Sequence, residues 1–154
     1  MSDKLQVEIL GVSDGPQHPV VLLRHDDRVL PIVVGIPEAH AIQVGILEEK
    51  LGRPMTHDLI GNILVGLGGE LESVTIYKLE NDTFYAHLNV EKRNAQGDLE
   101  QILRVDSRPS DGIAVAVRQK CPIFVAEEVM DGAAQDVEIP DEDSDSDWGT
   151  SWET

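Results

Sequence analysis

The sequence predicts an α+β fold, in which helices pack on a mixed β-sheet within a single compact domain. Several short segments alternate apolar and polar residues, which is typical of strands with one buried face. Other segments place apolar residues three and four positions apart, which is typical of helices. The segments follow one another as three strands, two helices, three strands, helix, strand and helix. This order is neither regularly alternating nor all β, so it favours the α+β class.

Three strands are predicted first, and the loops between them carry turn-forming residues. In the first strand, Leu5, Val7 and Ile9 point to one side and polar residues point to the other. Glycine and proline residues mark the loop after it. Asp26 and Asp27 are predicted to form the turn of a hairpin. The three strands are predicted over residues 4–12, 20–23 and 29–34.

Two helices are predicted next. Pro37 at the first helical position, with Glu38 beside it, favours a helix start, and Gly52 ends this helix. Thr56 is typical of an N-cap for the second helix, which has Asp58 in its first turn. The helices are predicted over residues 37–51 and 57–67. The residues expected to face the core are Ala41, Ile42, Val44, Ile46 and Leu47 in the first helix and Leu59, Ile63 and Leu67 in the second.

Three more strands, a helix, a strand and a short helix complete the predicted domain. Turns are expected at Asn81-Asp82 and at residues 94–98. His87 falls on the polar side of the middle strand and is interpreted as a solvated residue. Because a helix separates the last two strands, we expect a parallel pair with a right-handed crossover. The strands are predicted over residues 71–79, 83–91, 99–105 and 122–126, and the helices over 110–120 and 127–133.

Charge is distributed unevenly along the 154 residues, whose net charge is −17. Residues 121–154 hold 11 acids and no bases, whereas residues 1–120 hold 18 acids and 12 bases. No cluster of Lys and Arg of the kind that nucleic-acid backbones usually contact is visible. We expect a domain over residues 1–133 and a disordered acidic tail over residues 134–154. Trp148 and Trp152 could dock this tail into a protein partner.

The cysteine content and the N-terminal segment limit the class of protein. The single cysteine, Cys121, excludes a disulfide framework within the chain and a cysteine-rich zinc site. It precedes an apolar run, so we interpret it as a small buried hydrophobic residue. The sequence shows no signal-peptide pattern and no apolar run as long as a membrane span. A cytoplasmic protein without membrane association is therefore expected.

The segment from Asp106 to Asp111 concentrates polar side chains at a predicted strand-to-helix junction. It reads Asp-Ser-Arg-Pro-Ser-Asp between an apolar strand and an apolar helix. Unpaired N–H groups at a helix start favour anions, so this junction is a candidate site. The alternative is that its residues only cap the helix, with Arg108 paired to one of the carboxylates.

Carboxylates also occur at the other predicted helix starts. Glu38 and Asp58 occupy positions equivalent to that of Asp111, Asp106 lies at a strand end, and His57 adjoins Asp58. Each acid alone is explained by the helix dipole. If these ends converge in the fold, they would form an oxygen-rich pocket with an imidazole, able to bind Mg²⁺ or Mn²⁺.

Five short motifs follow one another in a specific order and spacing over about residues 5–133. They are Leu30-Pro31-Ile32-Val33-Val34-Gly35; Glu38-Ala39 with Ile42; Pro54-Met55-Thr56-His57-Asp58-Leu59; Asp106-Ser107-Arg108-Pro109-Ser110-Asp111 with Ala114 and Ala116; and Pro122-Ile123 with Glu127-Glu128-Val129. Together they resemble the bifunctional nuclease domain family of bacteria and plants. Met55 stands where that family commonly has leucine, and Gly112 where it commonly has alanine.

The resemblance implies a compact, oligomeric α+β domain that cleaves both DNA and RNA. The motif positions that match, without assigned roles, are Glu38, His57, Asp58, Asp106, Arg108, Ser110 and Asp111. For phosphodiester hydrolysis, we hypothesise that a divalent metal such as Mg²⁺ or Mn²⁺ is a cofactor. The candidate metal ligands are Glu38, Asp58 and Asp106. The candidate catalytic residues are His57, Asp58, Asp106, Arg108 and Asp111.

Specific chemical roles are hypothesised for three residues. His57 could act as general base or acid, since imidazole titrates near neutral pH. Arg108 or Arg118 could bind a phosphate in bidentate fashion. The candidate substrate-binding residues are Arg108, Ser110 and Arg118.

Two other interpretations of the sequence stay open. In the first, the chain is a non-catalytic oligomeric binding or assembly domain that recruits a partner through its Trp-containing tail. The Asp106–Asp111 junction would then be purely structural. In the second, the same pocket binds a small ligand.

Overall fold

The computed structural model describes residues 3–137, which form eight strands and four helices. The strands are β1 (Lys4–Asp14), β2 (Pro19–His25), β3 (Arg28–Val33), β4 (Gly69–Glu80), β5 (Thr83–Arg93), β6 (Leu99–Ser107), β7 (Ile123–Ala126) and β8 (Gln135–Asp136). The helices are α1 (Ile36–Ile46), α2 (Thr56–Gly66), α3 (Pro109–Gln119) and α4 (Glu127–Ala133). The predicted α+β class is confirmed.

The eight strands form one mixed sheet in the order β6-β5-β4-β7-β1-β2-β3-β8. Four hairpins of antiparallel strands, β1–β2, β2–β3, β4–β5 and β5–β6, make up most of the sheet. Asn81 and Asp82 both have positive φ, 51° and 60°, as a two-residue turn of primed type requires. β6 and β7, expected to form a parallel pair, run parallel but are not neighbours. The parallel partner of β7 is instead β4, since β4 and β5 lie between β6 and β7.

The core lies on one face of this sheet, where the helices pack. Alternate strand residues such as Val21, Leu23, Val74 and Ile76 are fully buried there. A Cβ atom added to Gly112 of α3 would lie 2.9 Å from Val74 Cγ1, so α3 packs directly on β4. The core is built from aliphatic side chains, in keeping with an aromatic content of 4%.

Three predictions about the helices are wrong. α1 ends at Ile46 and not at residue 51, and Ile46 and Leu47 are largely exposed. In α2, the residues expected to face the core, Leu59, Ile63 and Leu67, have exposed fractions of 51%, 49% and 69%. The apolar stripe of α2 therefore faces outward, and α2 contacts the domain through Ile60 and Leu64.

The C-terminal end of the described segment continues the sheet. β8 pairs with β3, with Asp136 opposite Arg28, although both residues of β8 fall within the predicted tail. Residues 138–154 of the predicted tail, which include the proposed docking residues Trp148 and Trp152, lie outside the described residues. None of the helices between residues 3 and 137 combines the length and apolar character that a membrane crossing needs.

Candidate functional site

The N-terminal ends of three helices meet at one pocket of about 390 Å³. α1 contributes Glu38, α2 contributes His57, and the start of α3 contributes Arg108 and Asp111. Four side chains from three of the sequence motifs thus come together. Each helix N-terminus carries roughly half a positive charge from the peptide dipoles, which favours an anion in the space between them.

His57 is bound to Asp111 across the pocket. Its Nε2 atom lies 2.9 Å from Asp111 Oδ1. A carboxylate accepts hydrogen bonds only, so Nε2 carries the proton and the neutral ring has its lone pair on Nδ1. The His57 residue is only 9% exposed, and Nδ1 is buried without a hydrogen-bond partner among the described residues. A buried polar atom of this kind needs a partner, which a bound water or ligand could supply.

Arg108 connects the carboxylates of two helices. Its Nε donates a hydrogen bond of 2.9 Å to Asp111 Oδ2, and its Nη2 donates one of 3.0 Å to Glu38 Oε1. These bonds use one hydrogen on each of two nitrogens, so Nη1 and the second hydrogen of Nη2 are left for another acceptor. The side chain is 66% exposed, which makes it accessible from solvent.

The charges of the pocket shift two pKa values. Burial alone would raise the pKa of Asp111, but hydrogen bonds from Arg108 and His57 outweigh it, and the net pKa is lowered. The Asp111 and Glu38 carboxylates raise the pKa of Arg108. At neutral pH, Asp111 is therefore a carboxylate that accepts hydrogen bonds from both His57 and Arg108.

Asp58 and Arg118 form a separate ion pair beside the pocket, and it joins α2 to α3. Arg118 Nε donates to Asp58 Oδ1 at 2.8 Å, and the Arg118 side chain is only 8% exposed. Asp58 Oδ2 accepts the Met55 backbone N–H at 2.8 Å, which caps α2. Arg118 also donates to the carbonyl of Ala114. The proposed phosphate-binding role does not fit a guanidinium that is buried and already bonded; Arg118 fixes α2 against α3.

Asp106 and Ser110 lie apart from the pocket. Asp106 pairs in register with His87, whereas α3 packs over the face that carries Val74 and Leu88. Because neighbouring residues of a strand point to opposite faces, Asp106 projects from the face opposite the pocket. Ser110 is buried at the start of α3, with 7% exposure, and does not line the pocket.

The three carboxylates predicted to hold a metal do not form a ligand set. Glu38 is bound by Arg108, Asp58 is bound by Arg118, and Asp106 is on the other face. Across residues 3–137, no three His, Cys, Asp or Glu side chains are arranged as metal ligands. A divalent ion would have to displace a guanidinium to bind Glu38 or Asp58, so the donor set does not fit Mg²⁺ or Mn²⁺.

Sequence reasoning missed the pairing within the pocket and the role of Met55. His57 was grouped with its neighbour Asp58, yet adjacent helical residues point in different directions and do not face each other. The cap at Met55 had a signal, since Asp58 follows it by three residues, as in a capping box. Thr56 is the first residue of α2 and lines the pocket.

The sequence matches a known domain family and a bacterial protein. The family model described as the bifunctional nuclease domain matches residues 20–138. An uncharacterized protein of Mycobacterium tuberculosis strain H37Rv is 39% identical over 141 residues, which cover 89% of this chain and 79% of that protein.

Plant proteins match a shorter stretch. Bifunctional nuclease 1 of Arabidopsis thaliana is 28% identical over 115 residues, covering 73% of this chain and 34% of that protein. Bifunctional nuclease 2 of Oryza sativa subsp. japonica is 29% identical over 118 residues, covering 75% and 35%. The matched region thus spans about a third of each plant protein.

Proposed function

The chain belongs to the bifunctional nuclease domain family, and from this premise we propose that it hydrolyses phosphodiester bonds of nucleic acid in the pocket at the three helix N-termini. One arrangement supports this assignment: hydrogen bonds link four side chains of that pocket in series, in the order His57, Asp111, Arg108 and Glu38. It combines a proton acceptor with an accessible phosphate-binding cation, which phosphodiester hydrolysis needs.

His57 is the proposed general base. Asp111 holds the ring through Nε2, which leaves the Nδ1 lone pair to accept a proton from an attacking water. The water oxygen then joins the phosphorus while the bond to the leaving sugar oxygen breaks, and that oxygen takes a proton from solvent. His57 returns to its neutral form by releasing the proton on Nδ1 to solvent. Nδ1 is buried in this structure, so the proposal requires that substrate binding admits the attacking water to this atom.

Arg108 is the proposed phosphate ligand. Its remaining N–H groups can donate to the non-bridging oxygens, where negative charge builds up during the reaction. Glu38 and Asp111 hold the guanidinium in place and are positioning residues. Glu38, Asp111 and Arg108 together carry one net negative charge, which the three helix N-termini offset by roughly one and a half positive charges.

The finer properties of the proposed nuclease are predictions. Both DNA and RNA are proposed substrates, and a cytoplasmic site of action stays a prediction. Dependence on Mg²⁺ or Mn²⁺ also stays a prediction, and no step above is assigned to a metal because the carboxylates of the site do not fit one.

We also propose that the chain forms a homo-oligomer through α2. Leu59, Ile63 and Leu67 form an exposed apolar stripe, and residues 59–69 contain no charged residue. Large exposed apolar patches mark association surfaces, and an uncharged stripe can pack against a copy of itself. This observation also favours the second candidate function, a non-catalytic oligomeric assembly domain.

Cleavage assays on two single-histidine variants test the proposed function. Labelled single-stranded DNA and RNA are incubated with the parent chain, His57→Ala and His40→Ala, each with EDTA, Mg²⁺ or Mn²⁺. His40 is an exposed histidine of α1 outside the pocket, so it controls for the loss of an imidazole. Loss of a general base lowers the rate by about 10²–10⁴-fold in His57→Ala only. Equal rates in all three proteins would assign the cleavage to something other than this pocket.

A further inference from the structure

The sheet face opposite the helices carries most of the aromatic side chains of the described segment. Cross-strand pairing sets Phe124 beside Thr75, and Thr75 beside His87. Tyr77 and Tyr85 lie on the same face, as their ring contacts with His87 and with each other show. Both tyrosines and one of the two phenylalanines of the chain are therefore on a surface that the helices leave uncovered.

Two of these rings are already stacked. The Tyr77 and His87 ring centroids are 4.6 Å apart at an interplanar angle of 27°, and Tyr77 is 37% exposed. Burial, Arg104 and Lys4 lower the pKa of His87. The imidazole is thus neutral at physiological pH, so both rings offer an uncharged flat surface on which a planar base can stack.

Lys4 and Arg104 supply positive charge on either side of the rings. Lys4 Nζ lies 4.4 Å from the centroid of Phe124, and Arg104 is opposite Asn89 at the β6 edge. Neither cation forms an ion pair within the described segment, whereas Arg24, Lys78 and Arg93 on other strands of the sheet are each paired with a glutamate.

The balance of charge around the stacked rings differs from that of the domain. Asp106 is the unpaired acid beside Arg104, so Lys4, Arg104 and Asp106 leave one net positive charge next to the rings, whereas the unpaired Glu70 of the same face lies at the start of β4. Residues 1–120 as a whole carry a net charge of −6. The surroundings of the rings are therefore more favourable to a polyanion than the acidic domain as a whole.

We propose that this face binds single-stranded nucleic acid, with bases stacked on Tyr77 and His87 and phosphates held by Lys4 and Arg104. Single strands fit because their bases are unstacked and every base has a flat face, whereas a duplex offers mainly its backbone to two cations. DNA and RNA share this chemistry. The site goes beyond the proposed function, since it lies on the other side of the sheet from His57 and binding there requires no cleavage.

Fluorescence anisotropy with labelled 12-nucleotide DNA, RNA and duplex DNA tests this site, in a His57→Ala background that prevents cleavage. Tyr77→Ala weakens single-strand binding roughly 5- to 100-fold, as expected for loss of stacking on one base, and Tyr77→Phe retains it. Lys4→Ala weakens binding and lowers the salt dependence by about 0.7 in the log–log slope. Lys50→Ala removes the same charge from an exposed position in the α1–α2 connection and leaves binding unchanged.

Several outcomes would overturn the proposal. They are an absence of single-strand binding, equal losses in Lys4→Ala and Lys50→Ala, tighter binding of duplex than of single strands, and unchanged binding by Tyr77→Ala. A change in oligomer size of Tyr77→Ala with no change in binding would assign the face to contact between copies of the chain. If the parent chain binds single strands but does not cleave them, the proposed nuclease activity is refuted and the proposed binding site is supported.

Discussion

The ion pair between Asp58 and Arg118 should be the main electrostatic link that holds α2, and with it His57, against α3. Replacing Asp58 by alanine removes two interactions: the cap on the Met55 N–H and the bond from Arg118 Nε. Loss of the cap costs about 1 kcal/mol. A hydrogen bond to a charged group contributes about 1.5–3 kcal/mol, which we reduce to about 1–2 kcal/mol because the Asp58 side chain is 38% exposed. The free energy of unfolding should fall by about 2–3 kcal/mol.

A double-mutant cycle isolates the ion pair from the other effects. Asp58→Ala, Arg118→Met and the double variant are unfolded with urea, with far-UV circular dichroism as the readout. Arg118→Met also loses the bond to the Ala114 carbonyl, but the cycle cancels that loss. The coupling energy should be about 1–2 kcal/mol. Asp98→Ala, which removes an exposed loop carboxylate, should change the stability by less than about 0.5 kcal/mol. A coupling energy below about 0.5 kcal/mol would refute the assigned role of the pair.

Two further predictions concern acid stability and association. The lowered pKa of Asp111 stabilises the fold above the ordinary pKa near 4, and this contribution is lost as the pH falls below that value. Melting temperatures between pH 6 and pH 2.5 should therefore fall more steeply for the parent than for Asp111→Asn, and parallel curves would contradict the shift. Replacing Leu59 and Ile63 by serine should reduce the molar mass measured by light scattering, whereas the same replacement of Leu99, exposed at the β6 edge, should not. An oligomer that survives both changes would place the interface elsewhere.

The fold class follows from sequence patterns because alternation and helical spacing report directly on which side of an element is buried. The outcome for α2 shows where this reasoning stops. Leu59, Ile63 and Leu67 lie on one side of the helix, as the spacing of four indicates, yet that side faces outward. A periodic stripe shows that a face is apolar and does not show whether the same chain covers it.

The candidate site was predictable in its segments and not in its pairings. Glu38, His57 and Arg108 were identified from helix starts and motif positions, and they share a pocket. Asp106 belonged to the same motif, but the alternation of β6 sends it to the opposite sheet face. Which carboxylate binds which cation depends on how helices distant in sequence pack together, and local sequence does not encode that.

The sheet face with Tyr77 and His87 could not be identified from the sequence. His87 reads as one more polar residue in an alternating strand, and Tyr77, which stacks on its ring, lies at the β-bulge between Ile76 and Lys78. Such a bulge is set by the local pairing of β4 with β5, which a polar–apolar pattern does not predict.

The most direct test of the central claim compares the single-turnover cleavage rate of Arg108→Ala with that of Arg53→Ala. Both changes remove an arginine with an exposed position, but only Arg108 lines the pocket and binds Asp111 and Glu38. If Arg108 stabilises charge on the phosphate, Arg108→Ala should cleave single-stranded substrate about 10²–10³-fold more slowly than the parent. Arg53→Ala should match the parent. Equal cleavage by the two variants, with both folded, would contradict the assignment of nuclease activity to this pocket.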